Sequence, residues 1–285
     1  MAVTRSADFA GSWYPGSEKE CRRTIEEYVR TGIPCPSTDD EPIGGIVPHA
    51  GWVFSGKIAC NVIKCLKGET IPDTVILFGR HLHAGSRNYV MKEGRWETPF
   101  ADLEIDQDMG GRLAREFDFT VETMSSYEQD NTIELQLPFI TYFFPGAMIL
   151  PLGVPPASAS LEIGERVIEL AAEQGKRVIV LGSTDLTHYG YNYGYTPKGV
   201  GEEAVEWVKQ ENDRKVIDLM LELNPDGVIR ESLQNSNACC SGAAATAIAA
   251  AKKLGATRAE RLIYTTSYDI RPDSSFVGYV GIVFY

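Results

Sequence analysis

The sequence predicts an α/β protein, a single domain spanning 1–285 with a central, mostly parallel or mixed sheet flanked by helices. Three observations predict it. The apolar runs at 43–47, 74–78 and 177–182 lack apolar–polar alternation, as strands buried on both faces of a parallel sheet do. Segments of helical periodicity separate these runs, the alternation expected of α/β architecture. The two C-terminal strands, 261–268 and 276–285, read as hairpin-connected and so add an antiparallel component. No internal repeat and no linker long or polar enough to divide the chain is present.

In chain order, the segment from Ser6 to Gly16 carries Phe9, Trp13, Tyr14 and Pro15, too many large apolar side chains for a free tail, and is expected to pack onto the domain. Ser17 and Glu20 form a capping box for a helix to about Arg30, with Cys21, Ile25 and Tyr28 on its apolar face. Residues 31–42 are a proline-rich polar connector. The stretch Ile43-Gly-Gly-Ile-Val-Pro-His-Ala-Gly-Trp-Val-Phe-Ser-Gly56 then predicts a buried strand, a tight turn presenting His49, and a helix capped by Ser55 that ends near Gly68. The strand at 74–78 runs directly into Gly79-Arg-His-Leu-His-Ala-Gly85, followed by a hairpin-like region from Asn88 to Ile105. A helix at about 106–116, a strand at 119–123, a helix at about 132–139, a strand at 147–152 and a helix near 160–174 continue the alternation. The strand at 177–182 ends in Ser183-Thr-Asp-Leu-Thr-His188. Amphipathic helices at about 202–222 and 225–233 precede Asn237-Ala-Cys-Cys-Ser-Gly242, which opens an alanine-rich helix to Lys253 able to pack closely on a sheet.

Composition excludes some functions. With 39 acidic against 27 basic residues the chain lacks the surplus of Lys and Arg a general nucleic-acid surface needs. No apolar stretch approaches the roughly 18–20 residues of a membrane span, and the first residues lack the apolar core of a signal peptide, so the cytoplasm is the expected compartment. Six cysteines without CxxC pairs then predict reduced thiols, with Cys60 and Cys65 as small core residues of a helix. Nucleotide P-loop, dinucleotide GxGxxG, HExxH and GxSxG patterns are all absent.

The histidines carry the functional signal. The chain has four, at 49, 81, 83 and 188, and each lies just beyond a buried-type strand. If those strands are parallel neighbours, their loops open on one sheet edge, where α/β proteins place their ligand crevice. Cys239 or Cys240, at a helix start whose dipole favours a thiolate, is the candidate to complete a metal site. Asp185 is placed to orient an imidazole or, alternatively, to cap a turn; a cysteine–histidine nucleophile is a further alternative.

Ala10-Gly-Ser-Trp-Tyr-Pro15, Val47-Pro-His-Ala-Gly-Trp52 with Ser55-Gly56, Trp96-x-Thr98-Pro99, Asn131-Thr-Ile-Glu134 with Leu137-Pro138, Ser183-Thr-Asp185-x-x-His188 and Ala238-Cys239 span nearly the whole chain. Together they resemble the MEMO proteins, also called AmmeMemoRadiSam system protein B. The resemblance implies a fold like the class III extradiol dioxygenases, which hold non-haem Fe(II) with two histidines and a glutamate and use another histidine as acid/base. Carried over, His49 is the first metal ligand, His81 or His83 the second with His81 preferred, and Cys239 takes the place of the glutamate. His188, with Asp185 beside it, is the catalytic acid/base. A thiolate in place of a carboxylate shifts preference toward copper(I), zinc or thiolate-bound iron and leaves ring cleavage an unsafe inference; non-haem Fe(II) is the expected metal, with copper or zinc as alternatives. The resemblance further implies a small-molecule or peptide ligand in the strand-end pocket, and a radical-SAM or AMMECR-type protein partner for a non-catalytic adaptor. Asn131, where the family commonly has histidine, and Cys240-Ser241, where it commonly has Gly-Arg, depart from its pattern.

Overall fold

A computed structural model describes residues 4–36 and 40–285; residues 1–3 and 37–39, the latter within the proline-rich connector, lie outside the described residues. Its strands are β1 (Thr4–Arg5), β2 (Gly44–Val47), β3 (Thr74–Gly79), β4 (Asn88–Met91), β5 (Arg95–Trp96), β6 (Leu103–Glu104), β7 (Phe119–Glu122), β8 (Met148–Gly153), β9 (Val178–Ser183), β10 (His188–Tyr189), β11 (Ala259–Thr266) and β12 (Phe276–Phe284). The helices are α1 (Glu18–Arg30), α2 (Trp52–Cys65), α3 (Gln107–Glu116), α4 (Asn131–Glu134), α5 (Leu137–Phe143), α6 (Ser158–Glu173), α7 (Glu202–Trp207), α8 (Asp213–Leu221), α9 (Pro225–Asn235), α10 (Ser241–Leu254) and α11 (Ser267–Ile270).

The described residues form a nine-stranded mixed sheet ordered β10-β12-β2-β9-β3-β8-β4-β7, with β11 paired to β12. The three unalternated runs are adjacent and parallel: β2 pairs with β9, and β9 with β3. Every residue of these strands is buried, because helices cover both faces. One face packs on α3, α6, α8, α9 and α10, the other on α1, α2, α4, α5 and the N-terminal segment. The alanine-rich α10 lies so close to β9 that a Cβ on Gly182 would stand 2.7 Å from Ala247 Cβ.

The N-terminal segment packs as expected, and buried Glu134 explains how. Its carboxylate accepts N–H bonds from Phe9 at 2.7 Å and Asp8 at 3.0 Å and the Tyr14 hydroxyl at 3.0 Å. Burial pushes this carboxyl up to about 7 even against those three bonds. Trp52, whose N–H donates to Trp13 O at 2.8 Å, stacks on Phe139 beneath.

The structure corrects several expectations. The helix after His49 begins at Trp52 with Gly51 as its cap, and Ser55 lies inside it, its hydroxyl donating to Ala50 O at 2.9 Å. Only β5 and β6 form the antiparallel pair expected at 88–105; β4 joins the large sheet between β8 and β7. The helix expected at 132–139 is two short ones, since Pro138 cannot donate to a continuing ladder and starts a new helix instead. The helix at 202–222 is interrupted by a π-turn, Val208–Asn212. Cys35 and Cys65 are disulfide-bonded, so the thiols are not all reduced and Cys65 is not a free core residue; periodicity around Cys65 does not reveal that the connector returns to it. No helix among the described residues is long and apolar enough to cross a membrane.

Candidate metal centre

His49 is held from every side before its ring is considered. Its N–H donates to Asp185 Oδ1 at 2.7 Å, its carbonyl accepts Asn131 Nδ2 at 3.1 Å, and the preceding Pro48 carbonyl accepts Gln136 Nε2 at 2.9 Å. Ring atom Nδ1 lies 2.9 Å from Ser183 Oγ, and that hydroxyl donates to Thr132 O at 2.6 Å. A serine hydroxyl has one proton, spent on the carbonyl, so Ser183 accepts from His49 Nδ1–H. The other nitrogen, Nε2, therefore points its lone pair at the donors opposite once its own proton leaves. Burial disfavours the imidazolium, but the charges of Asp185 and Cys239 and the bond to Cys239 outweigh it and raise His49 to about 9. The two shifts together favour a proton shared on the imidazole beside a thiolate, and a metal bound there would displace that proton.

His81 comes from the β3 loop, aimed by an unusual residue. Arg80 has φ 75°, a left-handed conformation uncommon for a side chain with Cβ. Its N–H donates to Thr132 Oγ1 at 2.7 Å, and its guanidinium bonds Glu122 at 2.5 Å and Glu128 at 2.7 Å and stacks 3.9 Å over Tyr89. With Arg80 held there, His81 Nε2 stands 3.2 Å from His49 Nε2. His81 is exposed, so the cluster opens to solvent on its side. His83 is also exposed and lies outside the donor group, its backbone N–H donating to Ser86 Oγ at 3.0 Å.

Cys239 closes the cluster from the opposite side, its Sγ 3.2 Å from His49 Nε2. The sulfur also accepts the Asp185 N–H at 3.3 Å and lies 3.7 Å from Cys240 Sγ. Burial would raise the Cys239 thiol, but the bond from Cys240, the His49 charge and the bonds from both histidines hold it well below the usual thiol range. Cys240 is pushed the other way, by burial and by the Cys239 thiolate. Donor atoms of His49, His81, Cys239 and Cys240 all lie within 4.8 Å of one another.

His49 and His81 line a pocket of about 760 Å³ together with Trp13, Asn131, His188, Tyr193, Arg271 and Tyr279, with the two cysteines behind its wall. His188 belongs to the pocket and not to the donor group. Its Nδ1 lies 3.1 Å from Leu186 O, a carbonyl that only accepts, so Nδ1 carries the proton and Nε2 is left as the acceptor. Tyr193 meets its ring edge-on at 4.9 Å. Asp185 bonds the His49 backbone rather than either imidazole, and burial raises its carboxyl above the ordinary range, opposed chiefly by the His49 charge.

Ser183 and Thr132 were legible as parts of motifs but not as the pair that sets the His49 tautomer. Arg80 and its acidic partners had no sequence signal, because Glu122 lies 42 residues away. Behind the loop that carries His188, buried Asp213 accepts the Thr187 N–H at 3.0 Å, the Thr187 hydroxyl, and the Tyr264 hydroxyl at 2.8 Å. Burial pushes Asp213 up to about 7 despite these bonds. A carboxyl protonated in the folded state but ionised in the unfolded one costs stability as pH rises from about 4 to about 7. Asp213→Asn is therefore expected to gain stability relative to the parent, by a few kcal/mol on the order of that linkage, across this window. Parallel urea melts at pH 4.5 and 7.5 measure it; an unchanged difference between the two proteins overturns it.

Comparison with known proteins bears on this arrangement. A family model described as Memo-like protein matches residues 5–283. A MEMO1 family protein of Methanopyrus kandleri is 33% identical over 294 residues, covering 99% of each chain. One from Thermococcus onnurineus is 32% identical over 291 residues, again covering 99% of each. The crystal structure of an uncharacterized protein from Escherichia coli K12 superposes with TM-score 0.56 and 10% identity over 85% of this chain and 99% of that one, a likeness of fold.

Proposed function

The chain belongs to the Memo-like protein family, and from that premise we propose that it holds one transition-metal ion between His49, His81 and Cys239 and carries out metal-dependent redox or dioxygenase-like chemistry in the adjoining pocket. One observation carries the proposal: His49 Nε2 lies 3.2 Å from both His81 Nε2 and Cys239 Sγ. Metal bonds of about 2.0–2.3 Å place neighbouring donor atoms roughly 3–3.7 Å apart, so the donors fit an ion with little rearrangement. An iron or copper ion bound there would supply one-electron chemistry and a place for O₂.

The chain's own residues do the rest. Ser183, accepting from Nδ1–H, keeps the His49 lone pair on the metal side. Asp185 fixes the His49 backbone and, through its N–H, the Cys239 sulfur. His188, with Nε2 free toward the pocket, takes a proton from a substrate hydroxyl there and returns it to product. We read residues 1–285 as a single domain, since all the longer strands join one sheet, and place it in the cytoplasm, where Cys239 stays reduced.

Metal analysis of anaerobically purified protein tests the site: about one equivalent is expected, lost in His49→Ala and Cys239→Ala and kept in His83→Ala. Equal substoichiometric metal in all four proteins overturns it. Oxygen uptake with a catechol panel and Fe(II) tests the chemistry, and His188→Ala should abolish uptake while retaining metal. A non-catalytic adaptor that holds a peptide or a radical-SAM or AMMECR-type partner is favoured by one feature. Trp13, Val53 and Tyr193, all lining the pocket, are 43%, 74% and 46% exposed, an apolar rim at its mouth. No oxygen uptake under any condition would leave that reading standing.

A further inference from the structure

We infer that Cys240 is a second sulfur donor at this centre, so that the ion is held by two imidazole nitrogens and two thiolate sulfurs. The inference rests on the metal-site reading above. The two sulfurs stand 3.7 Å apart. In a tetrahedral site with sulfur about 2.3 Å from the ion, that edge is about 3.8 Å. Neighbouring side chains on extended backbone point to opposite sides, but Cys240 is the cap residue of α10, at φ −125° and ψ 52°, and that bend brings the second sulfur back beside the first.

Both backbones are pinned in this posture: Cys239 N–H donates to Asp185 O at 3.0 Å and Cys240 N–H to Thr184 Oγ1 at 3.1 Å. Thr184 donates its own proton to Asp185 O at 2.8 Å, so it is bound to act as acceptor toward Cys240. Cys240 is 2% exposed, and its sulfur lies within 4.8 Å of the donor atoms of His49, His81 and Cys239. Two thiolates offset the charge of a divalent ion, and the N-terminus of α10 favours both anions. Such a set selects thiophilic, tetrahedral ions over oxygen-seeking ones. His81 is the exposed donor of the four, so an incoming ligand reaches the ion from its side.

Cobalt(II) added anaerobically to the reduced full-length chain distinguishes one thiolate from two, because thiolate-to-cobalt charge-transfer absorption scales with the number of sulfurs bound. The other free thiols, Cys21 and Cys60, are buried in the core on the opposite face of the sheet and contribute nothing. Cys240→Ser and Cys240→Ala should each lower the band about twofold with cobalt saturated, as should Cys239→Ser, with circular dichroism unchanged. A parent band of one-thiolate intensity that Cys240→Ser leaves intact and Cys239→Ser removes overturns the inference while the metal site stands. No charge-transfer band in the parent overturns both.

Discussion

Replacing Glu122 by alanine is expected to lower the free energy of unfolding by about 3–5 kcal/mol, because it strands buried charge. Glu122 is 7% exposed and is shared by two buried guanidiniums, Arg5 at 3.1 Å and Arg80 at 2.5 Å. Arg5 keeps a bond to Glu128 O and lies 3.7 Å over Trp96, and Arg80 keeps a bond to Glu128, whose side chain is 76% exposed and so worth little. Neither residual contact compensates a desolvated cation. The loss should also reach the metal, because Arg80 directly precedes His81 and its left-handed backbone persists only while the surroundings hold it. Urea melts of Glu122→Ala and Glu122→Gln, with metal affinity measured on the folded fraction, test both parts. A loss below about 1 kcal/mol in Glu122→Ala would show that the pair does not hold the loop, and unchanged affinity would show that Arg80 does not position His81.

The second large effect lies at the disulfide. Cys35 and Cys65 are 30 residues apart in sequence, and closing a loop of that length in the unfolded chain stabilises the fold by about 3–4 kcal/mol in the chain-entropy account. Cys65→Ser should lose about that much, and the oxidised parent should match it once reductant is added. Denatured, unreduced protein should titrate with four thiols, at Cys21, Cys60, Cys239 and Cys240, rather than with all six cysteines. Six reactive thiols, or a melt indifferent to reductant, would overturn the bond. The test also bears on compartment, since a structural disulfide is uncommon in a reducing cytosol and better known inside hyperthermophiles.

Much of the fold was readable because burial leaves a local record. Strands covered on both faces must be apolar at every position, and β2, β3 and β9 are. Because all four histidines follow those strands, the sequence alone points two loops of the candidate metal centre and the acid/base candidate to one sheet edge. What was misjudged is where local pattern and long-range contact disagree. Ser55 looks like a cap, yet Gly51 starts the helix because Trp52 N–H is already satisfied by Trp13 O across the chain. His81 and His83 are alike in sequence; the Arg80 anchor, reaching Glu122 and Glu128, decides between them.

By itself, then, the sequence determined which residue types could meet: imidazoles after buried strands and thiols at a helix start, within a family whose pattern it carries. Only the tertiary structure decided how they meet. The His49 tautomer depends on one hydroxyl proton that Ser183 commits to a carbonyl 51 residues away. Whether one sulfur or two join the donor cluster depends on the backbone angle at Cys240. Hydrogen bonds and dihedral angles of this kind join residues far apart in the chain, so no stretch of sequence read alone contains them.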